Sequence, residues 1–434
     1  MGRGIGNVVV AQSGGPTAVI NASLLGVIEG CRAAPETFGR VYAARHGIEG
    51  LLSEDLIDLG AQDSQELALL RTTPAAGAIG TCRYKVRPSQ QEDLERIVSV
   101  LGAHDVGAFF YIGGNDSMDT AHRVGALARE RGLDLVAVGV PKTIDNDLGD
   151  PDRVVLDHTP GYGSVARYWA HQVMALNEEN RGSCPADPVL VVQAMGRRIG
   201  FIPAAARLAD PHREMPLQIY LPESGLSLDD LGDRVDRGVR RFGRVLIIVS
   251  EGFDVGELGA RTDAFGHTEF GASAGSAAQA VVNFLNRSGL PARGLARGQL
   301  PGTEQRHAIA HASTVDLDEA YEVGRHAVRI AVEDGTGYMA TIERVADAPY
   351  AVAYGKAPLE EMANSERRFP AEWIAASRID VTDDFVAYAR PLIGEAAARI
   401  PIENGLPRFA RLADAAVETR CPSYVPQAHR KEPE

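Results

Sequence analysis

The sequence predicts an α/β protein with parallel-rich sheets and a ligand cleft at the carboxyl ends of its strands. Three observations lead there. Short apolar runs alternate along the chain with segments of helical periodicity. Polar or charged clusters recur directly after those runs, where open α/β sheets place their ligands. The chain has 434 residues, enough for two or three domains and so for a cleft between them.

In chain order, Asn7–Ala11 reads as a buried strand, followed by Gly14-Gly15 and a helix from Ala18 to about Arg32. Strand, glycine turn and helix aim backbone N–H groups at a phosphate. Pro16 fits a first helical turn. Val41–Ala44 is a second strand. Gly77–Lys85 is a small-residue loop ending near two cations, Arg83 and Lys85. Such a loop lets an anion approach, and an Arg can grip phosphate with a bidentate fork. Ser89 to about Ala103 has helical spacing, and Val106–Ile112 is the next buried strand. Gly113-Gly114-Asn115-Asp116-Ser117 then opens another helix, where Asn115, Asp116 or Ser117 can serve as its cap.

The densest chemistry is Pro141-Lys142-Thr143-Ile144-Asp145-Asn146-Asp147, which follows the apolar run Leu133–Val140. Two carboxylates, an ammonium, a hydroxyl and an amide crowd into it. A turn closed by Asp and Asn side chains needs fewer such groups. A helix follows from about Gly161 to Asn177, then the strand Val189–Gln193 ending in Met195-Gly196-Arg197-Arg198, then a helix over Ile199–Ala209. Further strands are Leu217–Leu221, ending at Pro222-Glu223, and Val245–Val249, ending at Ser250-Glu251-Gly252. Arg293, Arg297 and Arg306 cluster in one stretch, and helical patterning returns at Val315–Glu333. The chain from about Asp347 is less periodic and is expected to wrap on the core, loose from Arg420 onward.

Composition narrows the function classes. Hydrophobic residues at 45% and charged residues at 24% are those of an ordinary soluble globular protein. A formal net charge of −14 argues against a general binder of nucleic acid or anionic membrane. An anionic ligand must therefore meet a local cluster of cations. Cys31, Cys82, Cys184 and Cys421 are widely spaced, with no CxxC pair, as expected of reduced thiols in a cytoplasmic protein. No signal peptide and no bilayer-spanning run is expected.

Taken together, the segments resemble the phosphofructokinase family, and within it the pyrophosphate-dependent branch. The resemblance runs in family order through SGGPTAVINAS (Ser13–Ser23), GTCR (Gly80–Arg83), GGNDS (Gly113–Ser117), PKTIDND (Pro141–Asp147), MGR (Met195–Arg197), PE (Pro222, Glu223) and PGTEQR (Pro301–Arg306). GGxxS alone is weak; PKTIDND at a strand end, with GGNDS before it and MGR after it, is specific.

The resemblance implies two Rossmann-like α/β domains of the phosphofructokinase type with the active site between them. It implies residues 1–140 as the donor domain, completed by part of 255–345, then 141–254 as the sugar-phosphate domain and 346–434 as an extension packed on the core. It implies phosphoryl transfer to the 1-hydroxyl of fructose 6-phosphate, with sedoheptulose 7-phosphate as an alternative acceptor and ATP as an alternative donor. Asp145 matches the general base. Thr143, Ile144, Met195, Gly196, Arg197, Glu223, Arg297 and Arg306 match the acceptor site, with Thr303 at an acceptor position where relatives often have His or Tyr, and Gly14, Gly15 and Arg83 match the donor-phosphate contacts. Lys142 resembles a group that steadies the pyrophosphate leaving group. Asp116 resembles a block in the place of the ATP α-phosphate. Mg²⁺ is the implied cofactor. Asn115 stands where the family usually has a metal-binding Asp, and Asp147 and Asp116 are the alternatives. Pro188 stands where many relatives supply an Arg across a subunit interface, and a homodimer or homotetramer is implied.

Overall fold

The computed structural model describes residues 4–256, 276–363 and 365–430, with backbone alone for Arg261–Thr262 and Thr268–Glu269. The strands are β1 Gly6–Gln12, β2 Phe38–Ala44, β3 Leu56–Asp58, β4 Val106–Gly113, β5 Val136–Pro141, β6 Val189–Ala194, β7 Leu217–Tyr220 and β8 Val245–Ser250. After these come the pair β9 Arg261–Thr262 and β10 Thr268–Glu269, then β11 Ala296–Gln299, β12 Tyr338–Asp347 and β13 Tyr350–Pro358.

Two sheets organise the chain. The first has seven strands in the order β13-β12-β5-β4-β1-β2-β3, and the second has four in the order β11-β6-β8-β7. The second is parallel throughout. The first is parallel from β2 to β12 and antiparallel at both edges. Strands covered on both faces must be apolar along their whole length. Val8–Val10 and Val245–Val249 meet that demand, each being almost wholly excluded from solvent. Helices Ile20–Arg32, Gln91–Ala103 and Thr314–Glu333 help cover the first sheet. Helix Tyr162–Ser183 covers one face of the second, while helices Leu228–Phe242 and Ala277–Ser288 cover the other.

The chain crosses between the sheets more than once. β11 joins the second sheet, while β12 and β13 return to the first beyond β5. The stretch from 346, read as an extension, thus donates an edge strand to the first sheet. Helix Leu228–Phe242, unassigned from sequence, carries a capping box between Ser227 and Asp230 and ends at left-handed Gly243. The helix expected over Ile199–Ala209 is instead a single turn, Phe201–Ala204, followed by 3-10 geometry over Ala205–Ala209. Pro203 supplies no backbone donor to that turn.

The tail beyond Arg420 is tied down rather than loose. The Arg420 and Cys421 amides donate to the buried carboxylate of Glu54 at 2.5 and 3.0 Å. Among the described residues, no helix is long and apolar enough to cross a membrane.

Candidate active site

The order of the first sheet reverses at β1: the chain steps to β2 on one side and to β4 and β5 on the other. Crevices form at such reversals. The loops leaving β1, β4 and β5 carry Gly14-Gly15, Gly114–Asp116, and Lys142–Asp145 with Asp147, and all line one cleft of about 900 Å³. The loops leaving β6 and β8 face them with Met195–Arg197 and Glu251. Arg83 and Arg306 complete the same wall.

Lys142 is 4% exposed, and its ammonium donates to the Gly15 carbonyl at 2.8 Å. Gly14 has φ +75°, so the turn favours glycine, and a Cβ there would crowd Lys142 Nζ at 3.2 Å. Burial draws the ammonium down to about 8, against the pull of Asp147 and Asp145. The glycine turn is fastened to the arginine loop, because the Gly14 amide donates to Cys82 O at 2.8 Å and Thr81 Oγ1 donates to Gly14 O at 2.9 Å.

Burial pushes the Asp145 carboxyl up to about 7, helped by the neighbouring charges of Asp147 and Glu251 and opposed by Lys142 and Arg197. Burial also raises Asp147. Close carboxylates with raised affinity for protons suit a hard cation taking oxygen ligands. Among the described residues, no group of three or more His, Cys, Asp or Glu forms a metal cage. Asn115 gives its amide nitrogen to the Ser365 carbonyl, and Asp116 pairs with Lys85 Nζ at 2.5 Å in the open. The cap of helix Asn115–Glu130 is Gly114, without a side-chain bond, so Asn115, Asp116 and Ser117 are not its cap.

The motif between these carboxylates is held rigidly. Thr143 Oγ1 accepts from the Asp145 amide at 3.1 Å, and Thr143 and Ile144 are buried. Asn146 adopts φ +57° and is fully buried. Its Oδ1 accepts from the Thr159 amide, and its Nδ2 donates to the Tyr388 hydroxyl at 2.9 Å.

On the facing wall, Gly196 has φ +114°, and its amide donates to Glu251 Oε1 at 3.3 Å. Arg197 Nε lies 3.7 Å from the same carboxylate. Gln305 Oε1 accepts from the Met195 amide and from Trp169 Nε1, each at 3.0 Å, and so anchors this loop. Arg306 reaches over the opposite loop; one of its terminal nitrogens would be 3.2 Å from a Cβ on Gly15. Burial, then the Arg83 charge, draws its guanidinium below its ordinary value.

Fourteen of the residues singled out from sequence therefore line the cleft, namely Gly14, Gly15, Arg83, Asn115, Asp116, Lys142, Thr143, Ile144, Asp145, Asp147, Met195, Gly196, Arg197 and Arg306. Three do not. Glu223 lies behind the wall, where its carboxylate accepts from the Gly200 amide at 3.0 Å. Burial pushes that carboxyl up to about 7. Arg297 projects from edge strand β11 to Asp187 at 2.5 Å, and its side chain is 68% exposed. Thr303 is exposed at the start of the turn Glu304–His307. Sequence reasoning missed Glu251 and Gln305. Glu251 had a signal, its place directly after an apolar run.

These parts define a class: an α/β phosphotransferase whose cleft sets a glycine turn and fixed cations against a buried aspartate. The chain belongs to the phosphofructokinase family, whose model, Phosphofructokinase, matches residues 7–331. It is 39% identical over 428 residues to the pyrophosphate–fructose 6-phosphate 1-phosphotransferase of Halomonas elongata, covering 96% of this chain and 99% of that one. The Methylococcus capsulatus protein of the same name is 39% identical over 421 residues, covering 95% and 97%. The crystal structure of pyrophosphate-dependent phosphofructokinase from Nitrosospira multiformis matches with a TM-score of 0.86 at 37% identity, covering 96% and 99%.

Proposed function

We propose that this protein transfers a phosphoryl group from pyrophosphate to the 1-hydroxyl of fructose 6-phosphate, reversibly, giving fructose 1,6-bisphosphate and phosphate. The observation that carries this reading is Lys142, a buried ammonium fixed on the Gly15 carbonyl in the same wall as Asp145. Phosphoryl transfer asks for positioning and charge stabilisation more than covalent chemistry.

In this reading Asp145 takes the proton from the attacking 1-hydroxyl. Lys142 meets the negative charge that gathers on the departing phosphate, at full strength because it is dry and already in place. Gly14, Gly15 and Arg83 hold the donor. Arg197, Glu251 and the Met195–Gly196 backbone hold the sugar, and Arg306 spans both ends. Asp147, with Asn115 or Asp116 beside it, would hold a magnesium ion, which when bound supplies positive charge to the phosphate oxygens. Asp116 sets a negative charge against a nucleotide's α-phosphate. Arg297, outside the cleft of its own chain, serves the 6-phosphate across an interface in a homodimer or homotetramer. The setting is glycolytic and cytoplasmic.

The test is purified protein with fructose 6-phosphate and Mg²⁺, given pyrophosphate or ATP in turn. Turnover with pyrophosphate and almost none with ATP is the expected result. Efficient ATP use would overturn the donor, and no transfer from either donor would overturn the reaction. Running sedoheptulose 7-phosphate beside the hexose ranks the acceptors.

A further inference from the structure

We infer that the C-terminal strap, residues Tyr424–His429, is a positioning element of the donor site, acting through Asp93 and the hydroxyl of Tyr84. The inference rests on the assignment of Arg83 to the donor.

The loop Thr81–Arg87 belongs to no sheet beyond a single bridge at Cys82, yet Arg83, Tyr84 and Lys85 all line the cleft. Its burial alternates: Cys82, Tyr84 and Val86 are buried, whereas Arg83 is partly exposed and Lys85 and Arg87 are exposed. Fixing the inward residue therefore fixes the outward pair. The first half of the loop is fastened to the glycine turn, as described. Its second half is held at Tyr84, and beyond it by the Arg123 guanidinium on the Val86 and Arg87 carbonyls and by Gln90 on the Arg87 amide.

A phenolic hydroxyl has one proton to give and two lone pairs to fill. Tyr84 uses all of them. It donates to Asp93 Oδ2 at 2.5 Å, and it accepts from Gln90 Nε2 at 3.0 Å and from the Ala428 amide at 3.3 Å. The His429 ring stands edge-on to the Tyr84 ring, with centroids 5.7 Å apart. Asp93 is fully buried, and the strap fills its other oxygen: the Tyr424 hydroxyl donates to Oδ1 at 2.7 Å and the Gln427 amide at 2.9 Å. A buried carboxylate needs hydrogen-bond donors on its oxygens. Here most come from a segment more than 300 residues away in the chain. Asp93 does not line the cleft, so it touches no reactant and acts only by placing Tyr84.

Steady-state kinetics with pyrophosphate as donor and fructose 6-phosphate as acceptor test this in the full-length protein. Asp93→Asn and Tyr84→Phe should each raise the pyrophosphate KM about tenfold, with kcat and the acceptor KM within about twofold. The double variant should be no worse than the poorer single one, because both break one linkage. Asp93→Asn, which keeps one acceptor oxygen, should retain more donor affinity than Asp93→Ala. Tyr424→Phe removes a single strap hydroxyl from a solvent-facing segment and should raise the donor KM about threefold without unfolding the protein. A lowered Tm with an unchanged pyrophosphate KM in Tyr424→Phe and Asp93→Asn would overturn the inference. A rise in the acceptor KM alone would instead overturn the assignment of Arg83 to the donor.

Discussion

Arg367 Nη1 donates to Asn146 Oδ1 at 3.1 Å, joining a fully buried arginine of the C-terminal segment to the middle of the Lys142–Asp147 motif. The same guanidinium reaches the Asp157, Leu156 and Asp150 carbonyls, and the Arg367 amide donates to Asp147 O at 2.9 Å. One planar fork thus spans the whole loop between the two aspartates and helix Tyr162–Ser183. Replacing Arg367 by Met should cost about 3 kcal/mol or more, since several buried acceptors lose their donor. Arg367→Lys should recover little, because a point ammonium cannot bridge these positions. Urea unfolding measures the stability. In a folded variant, kcat should fall further than the acceptor affinity.

Asp145→Asn should lower turnover by at least about a hundredfold with little loss of sugar binding, as removal of a general base does. Near-normal turnover would take Asp145 out of that role. Single-turnover assays with saturating fructose 6-phosphate separate the two effects.

Donor choice is open to direct alteration. On the proposed reading, Asp116→Gly removes the charge opposed to an α-phosphate and leaves Lys85 without its 2.5 Å partner, so ATP should be admitted weakly. Adding Lys142→Gly should cost pyrophosphate turnover more than ATP turnover. A double variant that loses both donors equally would show that Lys142 does not discriminate between them.

Glu251→Gln should raise the fructose 6-phosphate KM by about tenfold or more and leave the pyrophosphate KM nearly unchanged, whereas Glu223→Gln should change neither by more than about twofold. Equal effects on both acceptor constants would return Glu223 to the sugar site.

His158 lies buried between Asp157 at 2.8 Å and Glu319 at 2.7 Å. Burial alone would lower its pKa, but Glu319 and Asp157 outweigh it and push the imidazolium from its ordinary 6.5 up to about 10. The folded protein then holds this proton more tightly than the unfolded chain. The stabilisation is full below about pH 6.5 and is lost as pH rises through about 10. Asp157, held below the ordinary carboxylate range by His158 and Arg344 despite its burial, loses its contribution on the acid side. Urea denaturation across pH 6–10 should show falling stability in the wild type and a flatter profile in His158→Gln.

Much of this site is legible in the sequence because strand ends announce themselves. An apolar run followed by Gly-Gly, by Lys-Thr-Ile-Asp or by Met-Gly-Arg places a polar group at the edge of a sheet. Which strand ends are neighbours is a matter of sheet order, and that is not written locally. Glu223 and Glu251 each follow an apolar run. Only the order β11-β6-β8-β7 puts Glu251 beside Gly196 and leaves Glu223 at the edge. Arg297 and Arg306 likewise sit close in sequence, yet one faces outward from an edge strand and the other reaches Gly15. Arg367 and Asp93 gave no sign, because a buried charge is recognised by its partners and these lie far along the chain.

The return of β12 and β13 to the first sheet bears on how the protein is made. When the ribosome has released only the segment through β8, β5 still has an open flank, and the loop after it lacks Arg367. A half-made chain therefore exposes a bare strand edge beside an unfinished reaction centre. Completion of the first sheet must wait for β12 and β13, far downstream of β5. A premature stop that spared both glycine turns and the Lys142–Asp147 motif would still yield an inert, aggregation-prone product.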